Sequence, residues 1–459
     1  MDREYDVIVV GGGHAGLTAA ICAIESGASV CLLEISPRDM RGGNSRHTRN
    51  LRPMHESTAQ PMEGVYGFDE YMDDLLQVTG GQTNLELAAL TLRESSSSVE
   101  WLARHGVAFQ PPLTGTLHLG RSNAFFLGGG KALINALYHQ AESLGVDIVY
   151  EAQEIALNIH SSRFSSLTYR QDTGLLTIEG KALVAASGGF EANLEWLEQA
   201  WGPAASNFLI RGTPYNRGDI LKQLLDAGSL QVGNAKQCHA IAVDGRAPKF
   251  DGGIVSRVDS VPLGIVVNKN ADRFHDEGED FWPKRYAIWG RLIAEQPGQI
   301  AYALTDCKAD GLHIPTLFPP IVADSIEALA GQLSLDPHKL RRTVDDYNSS
   351  VQAGNFDHRV LDDCRTNGLN VEKTHWARPI DSPPFRAYPL RPGITFTYLG
   401  VEVNNRAQVM FRQTDSNIFA AGEIMAGNVL GNGYLAGIGM TIGSVFGRIA
   451  GREAASYAS

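Results

Sequence analysis

Cysteine is scarce in this 459-residue chain. Cys22, Cys31, Cys238, Cys307 and Cys364 lie far apart, and no C-x-x-C pair occurs. That excludes a disulfide framework and a zinc or iron–sulfur site, so no metal is expected and a reduced, cytoplasmic compartment is implied. Basic excess is missing too. The net charge of −12 argues against nucleic acid or an anionic membrane as the main partner. No N-terminal leader is visible, because Asp2, Arg3, Glu4 and Asp6 occupy the place of its apolar core. The one apolar run to consider as a membrane span, "YLAGIGMTIGSVFGRIAG", holds several glycines and Arg448. It falls short of the roughly 20 apolar residues that a span needs, so a buried helix over a ligand is expected. Glycine is the opposite case. Its 49 residues exceed the average of about 7%, which suggests backbone passing close to a ligand.

The opening "YDVIVVGGGHAGLTAAICAIESGASVCLLE" reads as strand, turn, helix, strand. Val7 to Val10 is β-branched and apolar, Leu17 to Ile24 forms helix, Gly27 closes it, and Val30 to Leu33 leads to Glu34. In G-x-G-x-x-G, Gly11 makes the tight turn, Gly13 lets backbone approach a pyrophosphate, and Gly16 lets helix pack on strand. His14 and Ala15 fill the turn, and the helix N-terminus offers unpaired N–H groups to phosphates. Glu34 follows Gly16 at the spacing expected of a ribose acceptor. A dinucleotide is therefore expected, and the N-terminal placement favours FAD over NAD.

Further on, Gly128 to Gly130 precede an amphipathic helix from Lys131 to Leu144. Ile155–Ile159, Phe164–Tyr169 and Leu175–Glu179 read as a small antiparallel meander. "KALVAASGGF" and "NIFAAGEI" are two buried strands ending at glycine. The region 234–393 is different, being rich in proline and aromatic residues. The expected fold is α/β: a Rossmann-like FAD-binding domain over 1–233 and 394–459, interrupted by an α+β capping domain over 234–393. The serine run Ser95 to Ser98 is expected on a helix or loop surface.

Five motifs appear in order over nearly the whole chain: the opening βαβ unit, "GGNS" after Glu34, "AASGGF", "NRGD" and "AAGE". In this the chain resembles the fumarate reductase / succinate dehydrogenase flavoprotein superfamily. Longer strings, such as "RGGNSRHTRNLR", "FLIRGTPYNRGD" and "PLRPGITFTYLGV", resemble its branch that oxidises tricarballylate to cis-aconitate. The resemblance implies FAD, a cap over the flavin, hydride transfer from a tricarboxylate to flavin N5, and reoxidation by a membrane-associated electron-transfer protein. The enzyme would then sit at the inner face of the membrane through that partner. It also implies cofactor contacts at Gly42, Gly43, Asn44, Ser45, Ser187, Gly188, Gly218, Asp219, Gly422, Glu423 and Ile438.

For catalysis the resemblance implies His239 in "KQCHA" and an arginine beyond Arg273, Phe274 and Glu277. Counting leaves Arg285 and Arg291 as alternatives for proton transfer. The chain departs from the fumarate reductase pattern where Thr395-Phe396 and Tyr434 replace the usual histidine and arginine of the dicarboxylate clamp. Tyr434 is shared with ketosteroid-type dehydrogenases, the rival reading, which predicts an apolar pocket. A tricarboxylate carries about three negative charges near neutral pH. With that clamp altered, the cations are expected from Arg46, His47, Arg49 and Arg52, beside Thr395. Arg suits the task because its planar fork binds carboxylate through two parallel hydrogen bonds.

Overall fold

The computed structural model describes residues 3–58, 61–112, 119–252, 255–412 and 416–459. The first sheet grows from the opening unit. Strand β1 (Arg3–Val10) is followed by helix α1 (His14–Glu25) and strand β2 (Val30–Leu33). Helix α2 (Gly129–Leu144) leads to β3 (Asp147–Val149). Next come β4 (Gln153–His160), β5 (Arg163–Gln171) and β6 (Gly174–Ala185). The strand order is β3-β2-β1-β6-β5-β4, with Ile418–Ala420 also paired to β6. β1 runs parallel to β2 and β6, as a β-crossover-β unit requires. The expected third meander strand and the buried strand after it are one 12-residue strand, β6. Its first half alternates more and less exposed residues against β5, and its last four are all buried.

The C-terminal run forms helix α3 (Ile438–Ala458), buried along most of its length against α1. Gly443, Gly447 and Gly451 let the helices approach closely. A Cβ at Gly447 would lie 2.7 Å from the Ala15 carbonyl oxygen and 2.9 Å from Thr18 Cβ. Among the described residues no helix is long and apolar enough to cross a membrane. The serine run differs from expectation. Ser95 and Ser98 are buried, Ser95 Oγ accepts from the Met54 N–H, and the Arg448 guanidinium donates to Ser97 Oγ at 2.7 Å. These short hydroxyls serve a buried cation that spacing alone does not reveal.

The second sheet centres on the 13-residue strand Phe385–Thr397, which pairs with Leu209–Arg211, Cys238–Asp244, Ala301–Thr305 and Ile321–Ala323. Helices Ile326–Leu333 and Pro337–Ser350 cover it with a separate apolar core. This sheet reaches beyond the 234–393 window at both ends, through Leu209–Arg211 and through Ile394–Thr397. Between the two sheets lies a cavity of about 540 Å³, within the range of ligand pockets.

Candidate active site

One wall of the cavity is the dinucleotide fingerprint. Gly11 has φ +108°, a left-handed conformation that favours glycine, and its Cα faces the Ala186–Ser187 backbone. Gly13 caps α1, and Gly11, Gly13, His14 and Ala15 all line the space. Glu34 directly follows β2 and is buried; its Oε1 accepts from the Ser36 N–H and its Oε2 from Tyr138 OH. Gly16 lies behind the wall against the Gly11 backbone, and Gly42 packs on Ile134. Ile438 is wholly buried just behind Gly437, which lines the cavity.

After Gly42, the 3₁₀ turn Gly43–His47 directs Gly43, Asn44, Ser45 and His47 inward. Ser45 Oγ accepts the His14 N–H at 3.1 Å, tying this turn to the helix start. Across the cavity stand Ser187 and Gly188, then Gly218 and Asp219 at a helix N-terminus, then Gly422 and Glu423. Ser187 Oγ is buried with no hydrogen-bond partner among the described residues. A long polar ligand running past α1 would satisfy it, so these residues fit a dinucleotide.

Beside this wall is a buried carboxyl pair. Glu191 Oε1 accepts from Asn44 Nδ2 at 2.6 Å and Asn216 Nδ2 at 2.7 Å. Glu423 Oε1 accepts from the Thr397 N–H at 2.8 Å. Burial pushes both carboxyls upward in pKa, and the charge of Glu191 raises Glu423 further, so the pair retains a proton.

The rest of the cavity gathers cations and rings. Arg49, Arg211 and Arg257 line it, with His239, Tyr286, Thr395, Phe396 and Tyr434. Arg211 donates to Thr395 Oγ1 at 3.2 Å. Arg257 is held by Asp259 at 2.8 Å, and Asp259 also accepts from Trp282 Nε1 at 2.6 Å. The Arg49 guanidinium has no hydrogen bond or ion pair with the described residues, while its carbonyl accepts from the Phe126 N–H at 2.9 Å. Burial pushes its pKa down to about 9, helped by the charges of Arg257 and Arg211 and opposed by Asp259. His239 stacks on Tyr434 at 3.9 Å and meets Tyr286 edge-on at 5.4 Å. Both its ring nitrogens are buried without hydrogen-bond partners among the described residues. Burial, then Arg211 and Arg257, hold its pKa well below the usual histidine value, so the ring is neutral. Burial also keeps Tyr286 and Tyr434 protonated.

The structure therefore brings together His47, Arg49, His239, Thr395 and Tyr434, and leaves four expected arginines elsewhere. Arg46 lies on the outer side of the 3₁₀ turn, donating to the Asp39 carbonyl at 3.2 Å. Arg52 is buried away from the cavity, bonded to Tyr66 OH at 2.7 Å and beside Asp74. Arg285 ion-pairs with Glu279, and Arg291 donates to Asn432 Oδ1 at 2.7 Å. The short helix Trp282–Arg285 gives way to a 3₁₀ turn at Tyr286, which turns Tyr286 inward in place of its neighbour. Arg211, Arg257 and Tyr286 are the functional candidates that motif reading missed. Arg257 and Asp259 carried one usable signal, a cation and an acid two apart in extended chain, which share a face.

A cavity walled by a dinucleotide fingerprint on one side and by a capping sheet on the other defines a flavin-dependent enzyme class. The chain belongs to the FAD binding domain family, whose model matches residues 6–440, and FAD is its cofactor. This places it among the flavoprotein oxidoreductases of the fumarate reductase superfamily. It is 26% identical over 471 residues to the NADH:fumarate oxidoreductase of Klebsiella pneumoniae, covering 99% of this chain and 48% of that one. It is 26% identical over 476 residues to the probable fumarate reductase Ifc3 of Shewanella frigidimarina, covering 98% and 75%. The chain thus spans about half of the first relative and three quarters of the second. The fold matches the open conformation of a flavocytochrome c3 fumarate reductase, with TM-score 0.76 and 24% identity over 99% of this chain and 79% of that one. It also matches 3-ketosteroid Δ1-dehydrogenase from Sterolibacterium denitrificans, with TM-score 0.79 and 18% identity over 99% and 100%.

Proposed function

We propose that the chain oxidises tricarballylate to cis-aconitate and passes the electrons to a membrane-associated redox protein. The observation that carries this reading is the convergence of Arg49, Arg211 and Arg257 on one cavity, with Asp259 ion-paired to Arg257. A steroid would leave the buried Arg49 charge without a partner, at a cost of several kcal/mol. A substrate with about three carboxylates matches them.

The arginines bind and orient the carboxylates, and Thr395 steadies Arg211 for that task. A C–H beside a carboxylate is a weak acid, and clustered cations stabilise the anion that develops as its proton leaves. His239 is the proton acceptor that this geometry favours. It is neutral, its ring nitrogens have no hydrogen-bond partner among the described residues, and carboxylates binding to Arg211 and Arg257 would offset the charges that weaken its basicity. The neighbouring carbon loses its hydrogen with the bonding electron pair, and bound FAD supplies the two-electron acceptor, leaving the double bond of cis-aconitate. Tyr286 and Tyr434 fix the ring of His239 by stacking and exclude water.

Anaerobic mixing with tricarballylate tests the reading. The expected result is bleaching of oxidised flavin with one cis-aconitate formed per FAD, and no bleaching by 4-androstene-3,17-dione. Bleaching by the steroid, or none by tricarballylate, refutes it.

A further inference from the structure

The Arg46 side chain, on the outer side of the turn that lines the flavin cavity, opens a second question. It lies in a surface groove of about 360 Å³ with Arg38, Arg41 and Lys131. Asp39 lines the groove too, and Glu142 pairs with Arg38 at 3.3 Å, so four cations meet two carboxylates. Arg41 is held in place, donating to Tyr150 OH and Asn135 Oδ1 at 3.1 Å each and lying 4.4 Å from the Tyr138 ring. Arg38 keeps 68% of its side chain exposed, and Met40 beside it is 38% exposed. A groove lined by four cations lies here on a chain of net charge −12.

The groove and the cavity share a wall. The turn Gly43–His47 presents Asn44, Ser45 and His47 to the cofactor side and Arg46 to the groove, so one turn of backbone separates them. We infer that this groove is where the acidic face of an electron-accepting protein docks, and that electrons leave the flavin across the Gly43–His47 turn. The inference rests on the proposal that electrons pass to a separate protein. It does not depend on which substrate supplies them. On docking, reduced flavin gives up two electrons, two one-electron acceptors each take one, and its protons go to solvent. Complementary charge raises such encounter rates by about 10–10³ and makes them fall with ionic strength.

The test uses the FAD-loaded full chain, reduced by dithionite and desalted under argon, so tricarballylate plays no part. Reoxidation is followed with two small haem proteins of opposite charge, acidic cytochrome b5 and basic cytochrome c. The wild-type chain should reduce cytochrome b5 faster than cytochrome c at low ionic strength, and added salt should remove the difference. The double variant Arg38→Glu with Lys131→Glu should keep its FAD and lose on the order of tenfold in rate toward cytochrome b5. Its rate toward cytochrome c should rise. An unchanged cytochrome b5 rate in the variant, or faster transfer to cytochrome c in the wild type, overturns the proposal. So does loss of FAD from the variant, which would mean that these cations serve the cofactor. Failure here with tricarballylate still bleaching the flavin would leave the substrate reading standing; the converse result would separate them in the other direction.

Discussion

Arg49 and Arg46 sit three positions apart, and the structure gives them different surroundings: one lines the flavin cavity and the other a surface groove. Replacing each by Gln deletes charge while keeping a polar, unbranched side chain that still donates hydrogen bonds, though a shorter one. In the cavity, Arg211 already bonds Thr395 and Arg257 already bonds Asp259, so neither can move freely to replace Arg49. A carboxylate left without its buried charged partner costs about 2–5 kcal/mol. At 1.4 kcal/mol per factor of ten, that is a loss of affinity of roughly thirtyfold or more. Arg49→Gln also removes a charge that burial, Arg257 and Arg211 oppose, so its thermal midpoint should rise while its affinity falls. Arg46→Gln should bind tricarballylate as the wild type does. The assay measures FAD content first, then apparent affinity from anaerobic bleaching titrations with tricarballylate and with glutarate, which lacks the central carboxylate. Normal FAD content with unchanged affinity for tricarballylate in Arg49→Gln would refute the assignment of Arg49 to substrate.

Three more expectations concern other positions. Arg285→Lys and Arg291→Lys should each reduce flavin within about twofold of wild type, since substitutions away from the site stay near 0.5 kcal/mol; stopped-flow rates collapsing in either would return proton transfer to that arginine. His239→Gln should keep FAD and lose about 10²–10⁴-fold in the rate of flavin bleaching, the span of acid–base catalysis, whereas a loss confined to affinity would make His239 a binding group only. Glu191 has its pKa raised by burial to about 7 from an ordinary 4.5, so its contribution to stability is complete below pH 4.5 and lost as pH rises through 7. Thermal midpoints of Glu191→Gln should therefore gain on wild type between pH 5 and 9, and parallel curves would refute the retained proton.

Sequence patterns carried much of this far. The βαβ unit was legible because its glycines answer backbone demands that no other residue meets, as at Gly11 with φ +108°. The buried C-terminal helix was legible because its glycines and Arg448 spoil a membrane span. Which arginine faces the cavity was not legible. That depends on the phase of short irregular segments: a 3₁₀ turn sends Arg46 out and His47 in, and another brings in Tyr286 where counting gave Arg285. Such turns last a few residues, too few for periodicity to show. Arg211 and Arg257 join Arg49 through strand pairing across the inserted region, contacts that no local pattern encodes.

The strand Phe385–Thr397 has one consequence for experiment. Its middle is the axis of the capping sheet, while its last residues touch Asn44 through the Thr395 carbonyl and Glu423 through the Thr397 N–H. One stiff segment therefore reports to two compartments, and loosening the cap must disturb the surroundings of the cofactor. The yellow colour becomes a built-in gauge: flavin absorbance and fluorescence should change in step with melting of the cap, so the unfolding of a region far from the dinucleotide fingerprint can be followed by eye, without any added label.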